Sequence, residues 1–324
     1  MDMPSVLQLM DEDLKKVELQ FQENLRSEVS LIPTVGRYVL RSGGKRVRPL
    51  LVLLTARLCG YRGERAVPLA SIVEFIHTAT LLHDDVVDNA DLRRGQESAN
   101  AVWGNEASVL VGDFLFSKSF SLLVADGDLR ILRAMSDATT RMAEGEVLEL
   151  LKTSDLETLE QEYLEVVVNK TAVLLAAACE IGALLGDAPE REVAALRGYG
   201  MEVGIAFQLM DDCLDYVADE SAFGKEVGTD LAEGKITLPL IHALRQCERG
   251  EREAVRAVLD KDAVAPEDLV AVTRLIEKFG GIAFTRAQAQ GRVARAKELL
   301  GGFPPSPERE ALEAVADYVV TRDR

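Results

Sequence analysis

The chain has 324 residues, a formal net charge of -17 at pH 7, 48% hydrophobic residues and only 5% aromatic ones. That acidity excludes the broad basic face a nucleic-acid partner needs, while a local basic cluster could still take phosphate groups. The four cysteines, Cys59, Cys179, Cys213 and Cys247, are scattered with no CxxC pair, so neither a zinc site nor a disulfide framework is indicated and reduced thiols are expected.

Length alone suggests about two domains. No Ser/Gly/Pro-rich linker, low-complexity tract or short-period repeat divides the chain, however, so residues 1–324 read as one domain. Met1-Asp2-Met3-Pro4 is acidic and lacks a signal-peptide layout, which leads us to expect a cytoplasmic location. The most apolar run, Val166 to Leu185, is broken by Asn169, Lys170 and Glu180 and reads as a buried helix, not a membrane span.

In chain order, the pattern from about Ser5 to Asn24 predicts a helix of mixed charge at the surface or on a dimer side. A helix from about Leu31 to Leu40 is followed by Arg41-Ser42-Gly43-Gly44-Lys45-Arg46-Val47-Arg48-Pro49 and then by the helical run Leu50 to Leu58. Pro49 suits a first helical turn. Two glycines and three cations therefore precede a helix N-terminus, whose backbone N–H groups attract anions. They read either as a phosphate or diphosphate cradle or as a basic loop in an acidic protein.

The helix-patterned run Ala70 to Thr80 leads, with no Gly or Pro, into Leu81-Leu82-His83-Asp84-Asp85-Val86-Val87-Asp88. On a helix, Asp84 and Asp88 lie one above the other, with Asp85 about a third of a turn round. Two stacked carboxylates repel, and a bridging cation reverses that sign. Arg93-Arg94-Gly95 follows. Adjacent arginines are either a diphosphate clamp or local partners of Asp88 and Asp91.

Ser108 to Val124 and Leu129 to Lys152 are long helical patterns. Ser154-Asp155 offers an N-cap for a helix from Leu156 to Leu185, within which Lys170 either snorkels to solvent or faces a ligand. Pro189 opens a helix from about Glu190 to Val217, which carries a second acidic motif, Gln208-Leu209-Met210-Asp211-Asp212-Cys213-Leu214-Asp215. Cys213 should point into helix packing.

The loop Asp219 to Gly234 holds Gly224-Lys225 and Gly228-Thr229-Asp230, with Lys235 directly after it and Pro239 early in another apolar helix. Its lysines either fold over a bound anion or are ordinary loop lysines. The remainder, about Glu251 to Arg324, is amphipathic helix broken by Pro266, Gly280-Gly281 and Phe303-Pro304-Pro305, and carries no chemistry we can name. With a period near 3.6 throughout and no hairpin signals, the fold class is all-α, with many helices around a central cavity.

One acidic DDxxD could be a solvated helix end. Two, each led by hydrophobic residues, look like two walls of a pocket. There Asp84, Asp85, Asp88, Asp211, Asp212 and Asp215 hold divalent metal ions and, through them, a polyphosphate. Mg²⁺ fits best, because it uses few carboxylates, keeps its waters and shares phosphate oxygens. With only His77, His83 and His242 in the chain, a His-rich transition-metal site is disfavoured. Neutralising a diphosphate helps it leave. Ala79 and Thr80, one turn before Asp84, with Ile76 and Val73 deeper, form an apolar shaft suited to a hydrocarbon chain. The combination implies departure of an allylic diphosphate and capture of the carbocation by an alkene.

At this point the chain resembles the trans-polyprenyl diphosphate synthases. The resemblance runs through Gly43 to Pro49, Glu74 to Asp88, Arg93-Arg94-Gly95, Lys170-Thr171, the second DDxxD and Gly234-Lys235. The Phe75 to Asp88 run and the ending Arg322-Asp323-Arg324 are especially similar to synthases of octaprenyl chains. The resemblance implies an isoprenoid synthase fold and a homodimer. It implies that Asp84, Asp88, Asp211 and Asp215 hold Mg²⁺ against the allylic diphosphate, which Lys170, Lys225, Lys235 and Arg93 also bind. Lys45, Arg48, His77 and Arg94 would hold isopentenyl diphosphate, and Thr171 and Gln208 would stabilise the cation. In that family, bulky aromatics before the first motif give short products. The small Ala79 and Thr80, above Ile76, therefore predict a long chain, octaprenyl, from a farnesyl primer, and a product that partitions into membranes. A shorter-chain synthase or a non-catalytic subunit are the competing readings; a subunit should have lost aspartates or lysines, and none is missing.

Overall fold

The computed structural model describes residues 1–41, 45–93, 95–217, 228–261 and 263–322. Helices make up nearly all of its regular structure. In the first third they are α1 (Met3–Leu9), α2 (Asp11–Asn24), α3 (Leu31–Arg41), α4 (Val47–Leu58), α5 (Ala66–Val87), α6 (Ala99–Trp103) and α7 (Asn105–Asp126). The long α8 (Leu129–Lys152) leads to α9 (Glu160–Val167), a π-helical segment Val168–Ala172, α10 (Val173–Leu185) and α11 (Glu190–Tyr216). The rest comprises α12 (Thr229–Ala232), α13 (Leu238–Leu244), α14 (Arg249–Leu259), α15 (Pro266–Lys278), α16 (Gly281–Leu299) and α17 (Pro307–Thr321). The strands among the described residues are a two-residue antiparallel pair, β1 (Leu92–Arg93) and β2 (Gln96–Glu97), which turns at Gly95 with φ of 76°. The helical periodicity gave no sign of this small hairpin.

The chain divides into two compact units, each assembled from separated stretches. One comprises Met1–Asp137, Leu174–Arg197 and Gly302–Ala314; the other comprises Ala138–Val173, Gly198–Gly301 and Val315–Arg324. The first is organised around α5, against which α2, α4 and α7 pack. Apolar residues surround α5 because it is buried on most sides. Phe75 meets Phe21 of α2 with ring centroids 4.2 Å apart. The accessible stripe of α5 is narrow: His77, Thr80, Leu81, Asp84 and Asp88 are partly exposed while their neighbours Ile76, Thr78, Ala79, Leu82 and Asp85 are buried. The spacing is that of one helix face.

In the second unit, α13 packs on α9, α15 and α16. The helix predicted from Leu156 starts four residues later. Ser154 has a left-handed φ of 59°, and Asp155 closes a single turn by accepting from the Glu157 N–H at 3.0 Å. The true N-cap is Leu159, whose N–H donates to Glu162 Oε2 at 2.8 Å. That helix is then interrupted by the π segment, which periodicity did not indicate. Two glycines make room for it. A Cβ on Gly145 of α8 would lie 2.7 Å from the Lys170 nitrogen, and one on Gly204 of α11 would lie 2.5 Å from Ala172 Cα.

Among the described residues, three helical stretches are long and apolar enough to cross a membrane: Ala66–Val87, Asn105–Asp126 and Glu160–Leu185. Their most apolar windows are 67%, 33% and 72% buried in the fold, so the Val166 to Leu185 run lies largely inside, as its sequence predicted.

Candidate active site

Both acidic motifs sit at helix C-termini. Asp84 and Asp85 lie in the last turn of α5, and Asp88 is its C-cap, with its N–H on the Asp84 carbonyl at 2.8 Å. Asp211, Asp212 and Asp215 lie in the last two turns of α11. A helix C-terminus carries negative partial charge, which favours cations, and neither helix has a basic residue in its last turn. Carboxylates there are electrostatically misplaced unless positive charge arrives from elsewhere.

In the first unit, Asp85 turns inward and is 1% exposed. Arg93 Nε donates to its Oδ1 at 2.6 Å. Arg93 therefore pairs with Asp85, a carboxylate that neither of its two sequence readings named, because β1 brings it back beside the helix end. Burial pushes the Asp85 carboxyl above its ordinary value even against the Arg93 charge. The basic run before α4 is also divided in its roles. Arg46, left-handed with φ of 49°, reaches Glu74 Oε1 and the Leu40 carbonyl, each at 2.6 Å, and so pins the turn. Lys45 is exposed, and Arg48 and His77 are partly exposed. Gly43, Gly44, Arg94 and Lys225 lie outside the described residues. Of the residues expected to govern product length, Thr80 lies on the accessible stripe. Ile76 and Ala79 are fully buried, Ala79 in a core cluster with Phe75 and Leu82.

The second unit contains a pocket of about 110 Å³, lined by Lys170, Thr171, Gln208, Asp212, Asp230 and Lys235, with Tyr163, Val166, Val167 and Ile236 among its other walls. The π segment puts Lys170 and Thr171 on that wall. Lys170 Nζ donates to Glu146 Oε2 at 2.9 Å and Glu149 Oε2 at 2.5 Å, both on α8. Of the two sequence readings, solvent snorkelling is thus replaced by a pocket-lining ammonium held by carboxylates. Lys235 Nζ likewise meets Glu233 at 2.6 Å. Thr171 Oγ1 donates to Gln208 Oε1 at 3.0 Å, and Gln208 Nε2 donates to Asp212 Oδ1 at 2.8 Å. The other Asp212 oxygen accepts from the Tyr163 hydroxyl. Cys213 is buried, as expected.

Asp212 is 2% exposed, and burial raises its pKa to about 7. Burial also raises Asp215, and it pushes Asp230 well above the carboxylate range, helped by the charges of Asp212 and Asp215. Asp215 accepts the backbone N–H groups of Thr229 and Asp230 at 3.2 and 3.1 Å. Asp211 Oδ1 accepts from Arg322 Nη2 at 2.7 Å, and that guanidinium stacks 3.9 Å over the Phe207 ring. Sequence reasoning gave no role to Tyr163, Asp230, Glu146 or Glu149.

Among the described residues, no three His, Cys, Asp or Glu side chains are gathered into a closed metal site. Open carboxylate pairs at helix ends suit Mg²⁺, which keeps water and completes its shell with substrate phosphate oxygens. The donor set, all hard oxygen, fits that ion.

Residues 29–276 match the polyprenyl synthetase family. The chain is 41% identical over its full length to octaprenyl diphosphate synthase of Escherichia coli, all of which is covered. Its fold superposes on a decaprenyl diphosphate synthase from Rhodobacter capsulatus with a TM-score of 0.95 at 43% identity, covering 99% of each chain. A polyprenyl synthase from Caulobacter crescentus, solved with calcium and isoprenyl diphosphate, matches with a TM-score of 0.95 at 40% identity, over 100% of this chain and 98% of that one. The all-α architecture is therefore the isoprenoid synthase fold, and the chain belongs to the polyprenyl synthetase family as a prenyltransferase, a polyprenyl diphosphate synthase.

Proposed function

We propose that the protein elongates an allylic diphosphate, with farnesyl diphosphate as primer, by repeated head-to-tail condensation with isopentenyl diphosphate, to an all-trans octaprenyl diphosphate. One observation carries the reading. A single pocket is lined by three lysines, Lys152, Lys170 and Lys235, and by neutral oxygen dipoles that include Thr171 and Gln208. Ammonium groups serve a diphosphate; neutral oxygens serve a carbocation without capturing it.

In this reading the allylic C–O bond breaks and its electron pair leaves with the diphosphate. The isopentenyl double bond attacks the cation, and the departed diphosphate takes the proton that restores an alkene. Mg²⁺, when bound, supplies the positive charge that lets the diphosphate leave. Asp84 and Asp88 would hold such an ion in the first unit, and Asp211 and Asp215 in the second. Asp85 and Asp212 are committed to Arg93, and to Tyr163 and Gln208, and orient those partners. Lys170, Lys235 and, outside the described residues, Lys225 bind the allylic diphosphate with Arg93. Lys170 exchanges Glu146 and Glu149, and Lys235 exchanges Glu233, for phosphate oxygens. Lys45, Arg48, His77 and Arg94 bind isopentenyl diphosphate. The similarity to octaprenyl and decaprenyl synthases and the small side chain of Thr80 on the accessible stripe support the long product; Ala79, packed in the core, does not bear on it.

The same reading makes the protein one domain, cytoplasmic and a homodimer. Helix α7 leaves Leu110 67% and Val124 66% exposed, and a second copy would cover them. The test is a product assay with purified protein, Mg²⁺, labelled isopentenyl diphosphate and farnesyl diphosphate. A ladder ending near octaprenol supports the proposal. A stop at farnesol or geranylgeraniol makes this a shorter-chain synthase, and no elongation by folded protein makes it a non-catalytic subunit.

A further inference from the structure

A hydroxyl stabilises a neighbouring cation only if it turns a lone pair toward it, so the direction of the Thr171 proton matters to the reaction proposed above. That direction is fixed by a chain of three hydrogen bonds. Asp212 accepts at both of its carboxyl oxygens, from Gln208 Nε2 and from the Tyr163 hydroxyl. It therefore selects the NH₂ end of the Gln208 amide, at 2.8 Å, and leaves Gln208 Oε1 facing Thr171 Oγ1 at 3.0 Å. A carbonyl oxygen cannot donate, so Thr171 must give its proton to Gln208. Its remaining lone pairs then face the pocket it lines. The start of the chain is Tyr163 on α9, a residue 6% exposed, whose hydroxyl donates to the second Asp212 oxygen.

We propose that Tyr163 is a positioning residue that sets the polarity of Thr171 through Asp212 and Gln208. Without the phenol, one buried Asp212 oxygen loses its donor. The carboxyl group can then rotate, Gln208 loses its reason to keep its amide nitrogen toward Asp212, and the Thr171 proton is free to swing into the pocket. The Tyr163 hydroxyl is turned to Asp212, so its part in the reaction is played through that carboxylate. The inference rests on the prenyl-transfer reading of the same pocket.

The test is a double-mutant cycle on the full chain with Mg²⁺, farnesyl diphosphate and labelled isopentenyl diphosphate, using Tyr163→Phe, Thr171→Val and both together. Tyr163→Phe should lower kcat by about tenfold, the scale of one hydrogen bond to a charged group, with the KM values for both substrates unchanged. In the Thr171→Val background the same change should cost less than about twofold, the limit for independent sites to be told apart. Multiplicative losses, a loss confined to KM, or full activity of Tyr163→Phe would overturn the proposal. A purely structural Tyr163 would slow both backgrounds equally. If Tyr163→Phe does not fold, 3,5-difluorotyrosine incorporated at position 163 keeps the shape and alters the donor. It should change kcat in the Thr171 enzyme and not in the Val variant, and an equal change in both would overturn the inference. Absence of elongation by the wild type removes the reading beneath it, whereas normal wild-type elongation with a multiplicative cycle removes only the role of Tyr163.

Discussion

Replacing Gly204 by alanine tests whether the site depends on the close approach of α11 to the π segment. The new Cβ would sit 2.5 Å from Ala172 Cα and 2.8 Å from Ala172 Cβ. Carbon atoms rest at about 3.5–4.0 Å, so the two backbones must part by roughly 1 Å, and a backbone atom cannot swing aside as a flexible side chain can. Overpacking of this kind costs about 1–3 kcal/mol. The functional cost should be larger, because Ala172 adjoins Thr171, whose partner Gln208 is one turn along α11 from Gly204. A displacement of about 1 Å at reacting groups costs on the order of 100-fold in rate. Denaturant unfolding and single-turnover elongation measure the two effects. Gly250→Ala in α14 is the control, since nothing lies within 4 Å of its Cβ. There, better helix propensity should leave stability equal or raise it by up to about 1 kcal/mol. A Gly204→Ala protein with wild-type stability and rate would refute the reasoning that the glycine sets the position of the π segment.

Removing the Arg93 side chain leaves Asp85 buried without its 2.6 Å partner, and breaking such a pair costs about 3–5 kcal/mol at neutral pH. The sign follows from linkage. Asp85 already titrates above the ordinary carboxylate value and loss of Arg93 raises it further, so the deficit should be small below the raised wild-type value and grow as pH rises from there toward the variant's; urea midpoints of Arg93→Ala and wild type measured at pH 4 and pH 7.5 check it. Thr80→Phe should fold and shorten the product ladder, because Thr80 lies on the accessible stripe of α5. Ala79→Phe should lower stability by about 1–3 kcal/mol, because that site is a filled core. Equal product shortening with no loss of stability in both would contradict the placement. Mg²⁺ together with a non-hydrolysable allylic diphosphate should raise the thermal midpoint of the wild type and raise it less in Asp211→Asn, as ligand linkage requires; calorimetry in EDTA gives the baseline.

The sequence by itself determined the helical class, most helix ranges, both aspartate pairs and the basic residues around them. These are local facts: a period of 3.6, breakers at Pro189, Pro266 and Gly280, and carboxylates spaced to share a helix face. It also singled out Lys170, as a lone ammonium in an apolar helix, and Thr171 and Gln208, through a resemblance; all three line one pocket. What only tertiary structure decided were pairings between residues distant in the chain. Arg93 turned to Asp85 because a two-residue hairpin folds it back. Tyr163 reached Asp212 across 49 positions, and Arg322 reached Asp211 across 111. The π segment belongs here too, since it is stabilised by glycines on two other helices that admit its backbone and not by any preference of Val168 to Ala172. Local patterns specify which face a residue occupies; which buried carboxylate finds which donor is settled by packing, because only there does leaving one unpaired become costly.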